Sequence, residues 1–270
     1  MIVKNEAGNL ERCLDSVRGL VAEIVAVDTG STDATPEIAR RHGAKVFSFD
    51  FTKVDFAEAR NYGLGKATGK WILVLDADEV LDGAGWEAMR PLIERDSHAG
   101  YFLERHNFSA GSAAAKRDFC VRLFPNRPDY RFRGRVHETV DSSILESGGR
   151  LVRTGIRIAH HFAMDKEARR RKNLQYIEIL KEELAADPAD TTRLDFLAAE
   201  YHQLEMFDEA TAVAGQIVKM RPFDARAHFF LGVYHLLYQA DSVSARADFE
   251  RALELRPGYA EAASYLQAIG

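Results

Sequence analysis

The chain has 270 residues, room for two modest cores or one elaborated one. Hydrophobic residues make up 46% and charged residues 29%, with 19 glycines and 7 prolines, which excludes wholesale disorder and a collagen-like chain. The 36 basic and 41 acidic residues leave a net charge of −5, so the chain as a whole is not built to hold nucleic acid.

Apolar stretches such as Trp71 to Leu75 fall far short of the roughly 18 residues a membrane helix needs. Met1 to Glu6 lacks the basic flank and long apolar run of a secretory signal, so a cytoplasmic location is expected, including the inner membrane face. Cys13 and Cys120 cannot build a disulfide framework or a structural zinc site. Cys13 shares a helical face with Leu10, Leu14 and Val17 and reads as core. Basic residues gather locally, from Lys116 through Arg122 to Arg135 and again from Lys166 to Lys172; these runs fit either an anionic partner or a solvated face.

The first eighty residues alternate short apolar runs with amphipathic stretches, the pattern of βαβ units in a mostly parallel sheet. Met1 to Val3 ends a first strand, Leu10 to Val17 is helical, and Glu23 to Val27 runs into Asp28. Thr29 to Asp33 supplies turn and capping side chains, Pro36 suits a first helical turn, and that helix runs to Arg41 with Gly43 as its stop. A strand from Lys45 to Phe49 and a helix from about Phe56 to Ala67 follow. Trp71 to Leu75 is a buried strand ending in Asp76-Ala77-Asp78-Glu79, so the acids emerge at its carboxyl end, where open α/β sheets place ligands. Tyr101 to Ala159 reads as shorter strands and loops, with Ser109 to Ala115 as a mobile loop.

The last hundred residues turn helical. Pro188, Pro222 and Pro257 are 34 and 35 residues apart, and Leu184, Val218 and Leu253 each stand four positions earlier, which is the tetratricopeptide period. Leu194, Leu197, Ala198, Tyr201 and Ala210 in one copy, and Leu231-Gly232, Ala245, Phe249 and Ala252 in the next, take packing positions; Tyr259 to Ile269 closes the array.

An Asp-x-Asp at a strand end suits the holding of a divalent cation against a diphosphate, because carboxylate oxygens are the hard ligands magnesium and manganese prefer. Its context, after a buried strand, some fifty residues beyond Asp28 and preceded by Arg60, raises its weight over a capped turn. His160 and His161 are adjacent on a strand and face opposite ways, so one of them can serve such a site.

Val3-Lys4-Asn5-Glu6, Val27 to Asp33, Ala59-Arg60-Asn61 and Trp71 to Glu79 together resemble successive motifs of family 2 glycosyltransferases with a GT-A fold. Arg133 to Glu138 and Ile158 to His161 are similar to the continuation in the branch that carries C-terminal tetratricopeptide repeats. The resemblance implies an α/β GT-A catalytic domain over residues 1–164 and an all-α repeat domain over 165–270. It implies that Val3, Asn5, Glu6, Asp28, Arg60, Asp76 and Ala77 bind the nucleotide sugar, with Asp28 at the base and Arg60 at the diphosphate. Asp78 and His160 would hold a divalent cation, Mn or Mg. Glu138 would be the general base, with His137 beside it. Members usually begin several residues earlier with a full first strand, whereas this chain opens just before Val3, which is expected to weaken the sheet beside the nucleotide.

The expected activity is therefore inverting, metal-dependent transfer of a sugar from a nucleotide donor, UDP by preference, to a glycan, lipid-linked or peptide acceptor. The alternatives are a tetratricopeptide scaffold with an inactive nucleotide-binding domain, and a nucleotidyltransferase. The repeats offer a surface for a second copy or a protein partner.

Overall fold

The computed structural model of the chain describes residues 1–95, 98–109, 116–162 and 166–269. The expected loop at Ser109 to Ala115 and the expected boundary at 164–165 lie largely outside them. The chain divides into two compact units, Met1–Ala163 and Met164–Gly270.

In the first unit, β1 (Ile2–Val3), β2 (Val25–Asp28) and β3 (Lys45–Ser48) form a parallel sheet in that order. The registers Val3↔Asp28 and Asp28↔Ser48 bring the carboxyl ends of the three strands level. Helices α1 (Leu10–Ser16) and α2 (Thr35–Arg41) pack through Leu10, Leu14, Ile38 and Ala39 against Val3, Ala26 and the buried Ala77. Gly43 stops α2 with φ +78°, a left-handed conformation that costs a glycine little. Helix α3 (Phe56–Leu64) starts at Asp55, whose carboxylate accepts from the Glu58 amide at 2.8 Å.

A second, mixed sheet has the order β4-β7-β6-β8-β5, with β4 (Trp71–Leu73), β5 (Glu79–Leu81), β6 (Ala99–Ser109), β7 (Lys116–Pro125) and β8 (Arg150–Phe162). Only β6 and β8 run parallel; the other pairs are antiparallel. Here the structure corrects the sequence reading, since Tyr101 to Ala159 holds three long strands and the short helix α5 (Asp141–Glu146). Several of their charged residues pair across the sheet: Arg105 with Asp118, Arg117 with Glu104, and Arg122 with Asp76 and Glu79. Leu103, Leu123, Ile156 and Ile158 form a core with Met89 of α4 (Gly85–Arg95). Strand β1 holds two residues and pairs with β2, while β4 pairs with β7. An apolar cavity of about 350 Å³ lies between β2 and β4, lined by Val25, Val27, Leu64, Trp71, Leu73 and Trp86.

The second unit is helical throughout its described residues: α6 (Lys166–Ala186), α7 (Thr191–Gln203), α8 (Phe207–Met220), α9 (Ala225–Tyr238), α10 (Ser242–Leu255) and α11 (Ala260–Ala268). The 34-residue period has a local cause. Asp190 and Asp224, each two residues after a repeat proline, accept the first free amides of α7 and α9 at 2.9 to 3.3 Å. Asp241 does the same for α10, whereas Tyr259 begins α11 without a side-chain cap. Gly232 lets α9 and α10 approach closely, because a Cβ there would lie 2.9 Å from the Phe249 ring. No helix among the described residues is long and apolar enough to cross a membrane.

Candidate active site

The segment between β4 and β5 carries the two aspartates. Its backbone is held on both sides: Val74 N–H donates to the Arg122 carbonyl at 2.7 Å, and Glu79 N–H donates to the Asp76 carbonyl at 3.0 Å. Ala77 points into the core with Val3, Leu10 and Leu14, so both Ala77 and Val3 could meet a nucleotide only through their backbones. Cys13 Sγ donates to the Asp76 carbonyl from below at 3.3 Å.

Asp76 is clasped by two arginines. Arg60 Nη2 donates to Oδ1 at 2.8 Å and Arg122 Nη2 to Oδ2 at 2.7 Å. Burial pushes this carboxyl up, but Arg122 and Arg60 outweigh it and hold it well below the usual carboxylate range. Arg122 Nη2 also donates to Glu79 Oε1, while Glu79 Oε2 accepts the Asp76 amide at 3.0 Å. The Glu79 side chain is 0% exposed and that of Arg122 only 7%. Neither residue stood out in the sequence; a carboxylate directly after Asp-x-Asp was the available signal for Glu79, and Arg122 had none beyond the basic run around it.

Arg60 then reaches Glu138. Its Nε donates to Glu138 Oε1 at 2.5 Å, with side-chain exposures of 10% and 11%, so the pair is buried rather than a solvated surface bridge. Two ties bring α3 to the loop that carries Glu138. Asn61 donates to the Phe132 carbonyl and accepts from the Phe132 amide, both at 2.9 Å, and the Phe56 amide donates to the Arg135 carbonyl at 2.8 Å. The loop is pinned by mutual backbone bonds between Arg133 and Thr139, and between them His137 takes a left-handed φ of 51°. Arg60 Nη1 and Arg122 Nε are buried donors with no protein partner among the described residues. An unmet buried donor costs about 1–3 kcal/mol, which an anionic oxygen would relieve.

On the other side of the acids, His160 lies opposite Glu79 across β5 and β8, and its Nε2 is 3.1 Å from Asp78 Oδ2. Its neighbour His161 points elsewhere: the ring stacks on Phe108 with centroids 5.5 Å apart, its amide donates to the Asp78 carbonyl at 3.0 Å, and burial pushes its pKa down. Among the described residues no three His, Cys, Asp or Glu side chains converge on a metal position. Asp78 and His160 stand at a separation that adjacent ligands of an octahedral ion could share, because ligands each about 2.1 Å from a metal lie about 3 Å apart. Magnesium sites commonly take their remaining ligands from water and substrate phosphate.

The loops after β1 and β2 are zipped together. Asn5, with a left-handed φ of 56°, accepts the Thr32 amide at 2.7 Å, and the Asn5 amide donates to Ser31 Oγ at 3.0 Å. The Glu6 amide donates to Thr35 Oγ1 at 2.7 Å, and burial raises the pKa of the Glu6 carboxyl. Asp28 is buried at the end of β2, where its carboxylate accepts the Ser31 amide. The structure thus joins Arg60, Asp76 and Glu138 directly, sets Asp78 and His160 beside them, and gathers Asn5, Glu6 and Asp28 at the neighbouring strand ends.

Comparison with known proteins agrees with this architecture. The family model Glycosyl transferase family 2 matches residues 1–159. A TPR repeat-containing protein of Synechococcus elongatus is 45% identical over 145 residues, 54% of this chain and 35% of that protein. Glycosyltransferase SunS, SPbeta prophage-derived, of Bacillus subtilis is 26% identical over 238 residues, 85% of this chain and 55% of that protein. The chain therefore spans about a third to a half of the length of these curated relatives. The crystal structure of S. aureus TarS 1–349 in complex with UDP-GlcNAc shares the fold, with a TM-score of 0.51 at 15% identity over 96% of this chain and 90% of that one. With a GT-A α/β unit followed by helical repeats, and a family match over more than half of its length, the chain belongs to glycosyl transferase family 2.

Proposed function

We propose that the chain is an inverting, metal-dependent glycosyltransferase that moves a sugar from a uridine diphosphate donor to a hydroxyl-bearing acceptor. The observation that carries this reading is Arg60, buried between Asp76 and Glu138 with Nη1 unmet. The diphosphate of a nucleotide sugar would supply the oxygen that Nη1 lacks. Asn5, Glu6 and Asp28 take the nucleoside side, Asp76 the ribose or sugar, and Glu138 the acceptor side.

In this reading the acceptor oxygen attacks the anomeric carbon as the carbon–oxygen bond to the phosphate breaks. Glu138 receives the acceptor proton, and Arg60 stabilises the charge that develops on the departing diphosphate. Oε1 of Glu138 is held by Arg60, and Oε2 would be the oxygen that takes the proton. A cation held by Asp78 and His160 would neutralise phosphate charge. One displacement inverts the anomeric centre, so an α-linked donor gives a β-linked product. TarS, solved with UDP-GlcNAc, supports UDP as the donor nucleotide. The acceptor is a glycan, a lipid-linked saccharide or, after the manner of a protein-modifying enzyme, a peptide side chain. The helical unit is a surface for a second copy or a protein partner.

Calorimetric titration with UDP, with and without Mn²⁺, on the native chain and on Asp78→Ala tests the site. Metal-enhanced binding that disappears in the variant is expected. UDP binding that ignores Mn²⁺ in both proteins removes the metal from the proposal, and no binding by the folded chain removes the nucleotide.

A further inference from the structure

Asn107 was not among the sequence candidates. It lies on β6 opposite His160 on β8, which in turn lies opposite Glu79 on β5, so the registers set Asn107, His160 and the Asp78–Glu79 corner side by side. On its other flank Asn107 faces Lys116 on β7.

The orientation of its amide follows from its neighbours. Nδ2 lies 3.1 Å from the Lys116 carbonyl and 3.1 Å from Asp118 Oδ2. A carbonyl and a carboxylate both only accept, so both require the amide's N–H donors and not its oxygen. Asp118 remains a carboxylate because, although burial pushes its pKa up, the two bonds from Arg105 at 2.8 and 2.9 Å outweigh burial and bring it below the usual range. The amide oxygen Oδ1 is thereby turned to His160, 2.7 Å from Nδ1. Since Oδ1 can only accept, Nδ1 must carry a proton. A neutral imidazole has one such proton, which leaves the Nε2 lone pair facing Asp78 Oδ2 at 3.1 Å. Two acceptors at that distance repel unless a positive charge lies between them.

We propose that Asn107 is a positioning residue that fixes the tautomer of His160 and so supplies the cation site with its nitrogen ligand. The proposal rests on the reading that Asp78 and His160 hold the cation. It extends the site outward through Asn107, Asp118 and Arg105 to Glu79, whose Oε1 lies 3.5 Å from Arg105 Nη1. The metal side is thus joined to the carboxylate that holds Arg122 and the Asp76 backbone. Partners of metal-ligating histidines typically change metal affinity about 10- to 100-fold when removed.

The first test needs no substitution. The full chain, labelled with nitrogen-15 histidine and saturated with UDP and diamagnetic Mg²⁺ at about pH 8, above the ordinary imidazole range, is read by long-range proton–nitrogen spectra, with His160→Gln giving the assignment. A proton on Nδ1 of His160 is expected; a proton on Nε2 alone overturns the proposal. A doubly protonated ring in that complex, or unchanged Mn²⁺ dependence in His160→Gln, overturns the cation reading itself. The second test compares Asn107→Leu and Asn107→Ala. Metal-free UDP affinity should stay at the native value while the Mn²⁺-dependent gain falls about 10- to 100-fold. If both variants keep the native Mn²⁺ response while His160→Gln loses it, Asn107 has no positioning role and the cation reading stands.

Discussion

Replacing Arg122 by methionine keeps a long, flexible side chain in place and removes one cation from a buried set. The guanidinium is shared by Asp76 and Glu79, at 2.7 and 2.5 Å, with only 7% of the side chain exposed. Without it, Glu79 keeps the Asp76 amide and the more distant Arg105, and Asp76 keeps Arg60 alone. Breaking a buried pair from one side costs about 3–5 kcal/mol, because the orphaned carboxylate cannot return to water. For a unit of about 160 residues that corresponds to a fall in Tm of roughly 6–20 °C. Thermal and urea unfolding of native chain, Arg122→Met, Glu79→Gln and the double variant would measure it. The double variant should be more stable than the two single losses summed, by about 1–3 kcal/mol. The sign with pH is fixed as well. The native Asp76 carboxyl is depressed by Arg122 and Arg60 against burial, so its stabilisation is complete above the unfolded value near 3.9 and is lost as pH falls below it. Arg122→Met has less of that stabilisation to lose, so its deficit against the native chain should be greatest near pH 7 and narrow on strong acidification. A penalty below about 1 kcal/mol, with simple additivity, would refute the idea that Arg122 holds this corner together.

Two further outcomes bear on the site and its floor. Glu138→Gln should bind UDP with near-native affinity and transfer about 10²–10⁴-fold more slowly, with the residual product still inverted by its anomeric NMR coupling; unchanged turnover removes Glu138 from the mechanism. Burial pushes the Cys13 thiol up to about 12 and also raises Cys120, so neither should react with a disulfide exchange reagent at about pH 8 in the native chain, while both react in denaturant. Rapid stoichiometric labelling of the folded protein would contradict the packing of α1 beneath Asp76.

Much of the scaffold was legible because its causes are local. The apolar runs at Val25 to Val27 and Trp71 to Leu75, each followed by an acid, mark strands that deliver carboxylates at their ends, and proline followed two residues later by aspartate starts the repeat helices at Asp190 and Asp224. Arg60, Asp76, Asp78 and His160 could be singled out from short motifs. The way they pair could not be read there, even where both members were named. Arg122 meets Asp76 across 46 residues, Glu138 meets Arg60 across 78, and His160 meets Asn107 across 53.

The meetings of Arg122 with Asp76 and of His160 with Asn107 depend on strand register. Glu104 to Asn107 is a polar stretch in the middle of β6, and its neighbours across the sheet, such as Asp118 for Arg105, make a partly buried charge there tolerable. A shift of one residue in β6 would turn Asn107 away from His160 and present Arg105 or Phe108 to the wrong face. The sequence by itself determined the strands of its first 75 residues, the repeat period and the residue types able to bind a diphosphate and a cation. The tertiary structure decided which carboxylate holds which arginine and which nitrogen of His160 faces Asp78, because a buried charge is stable only where the fold delivers its partner.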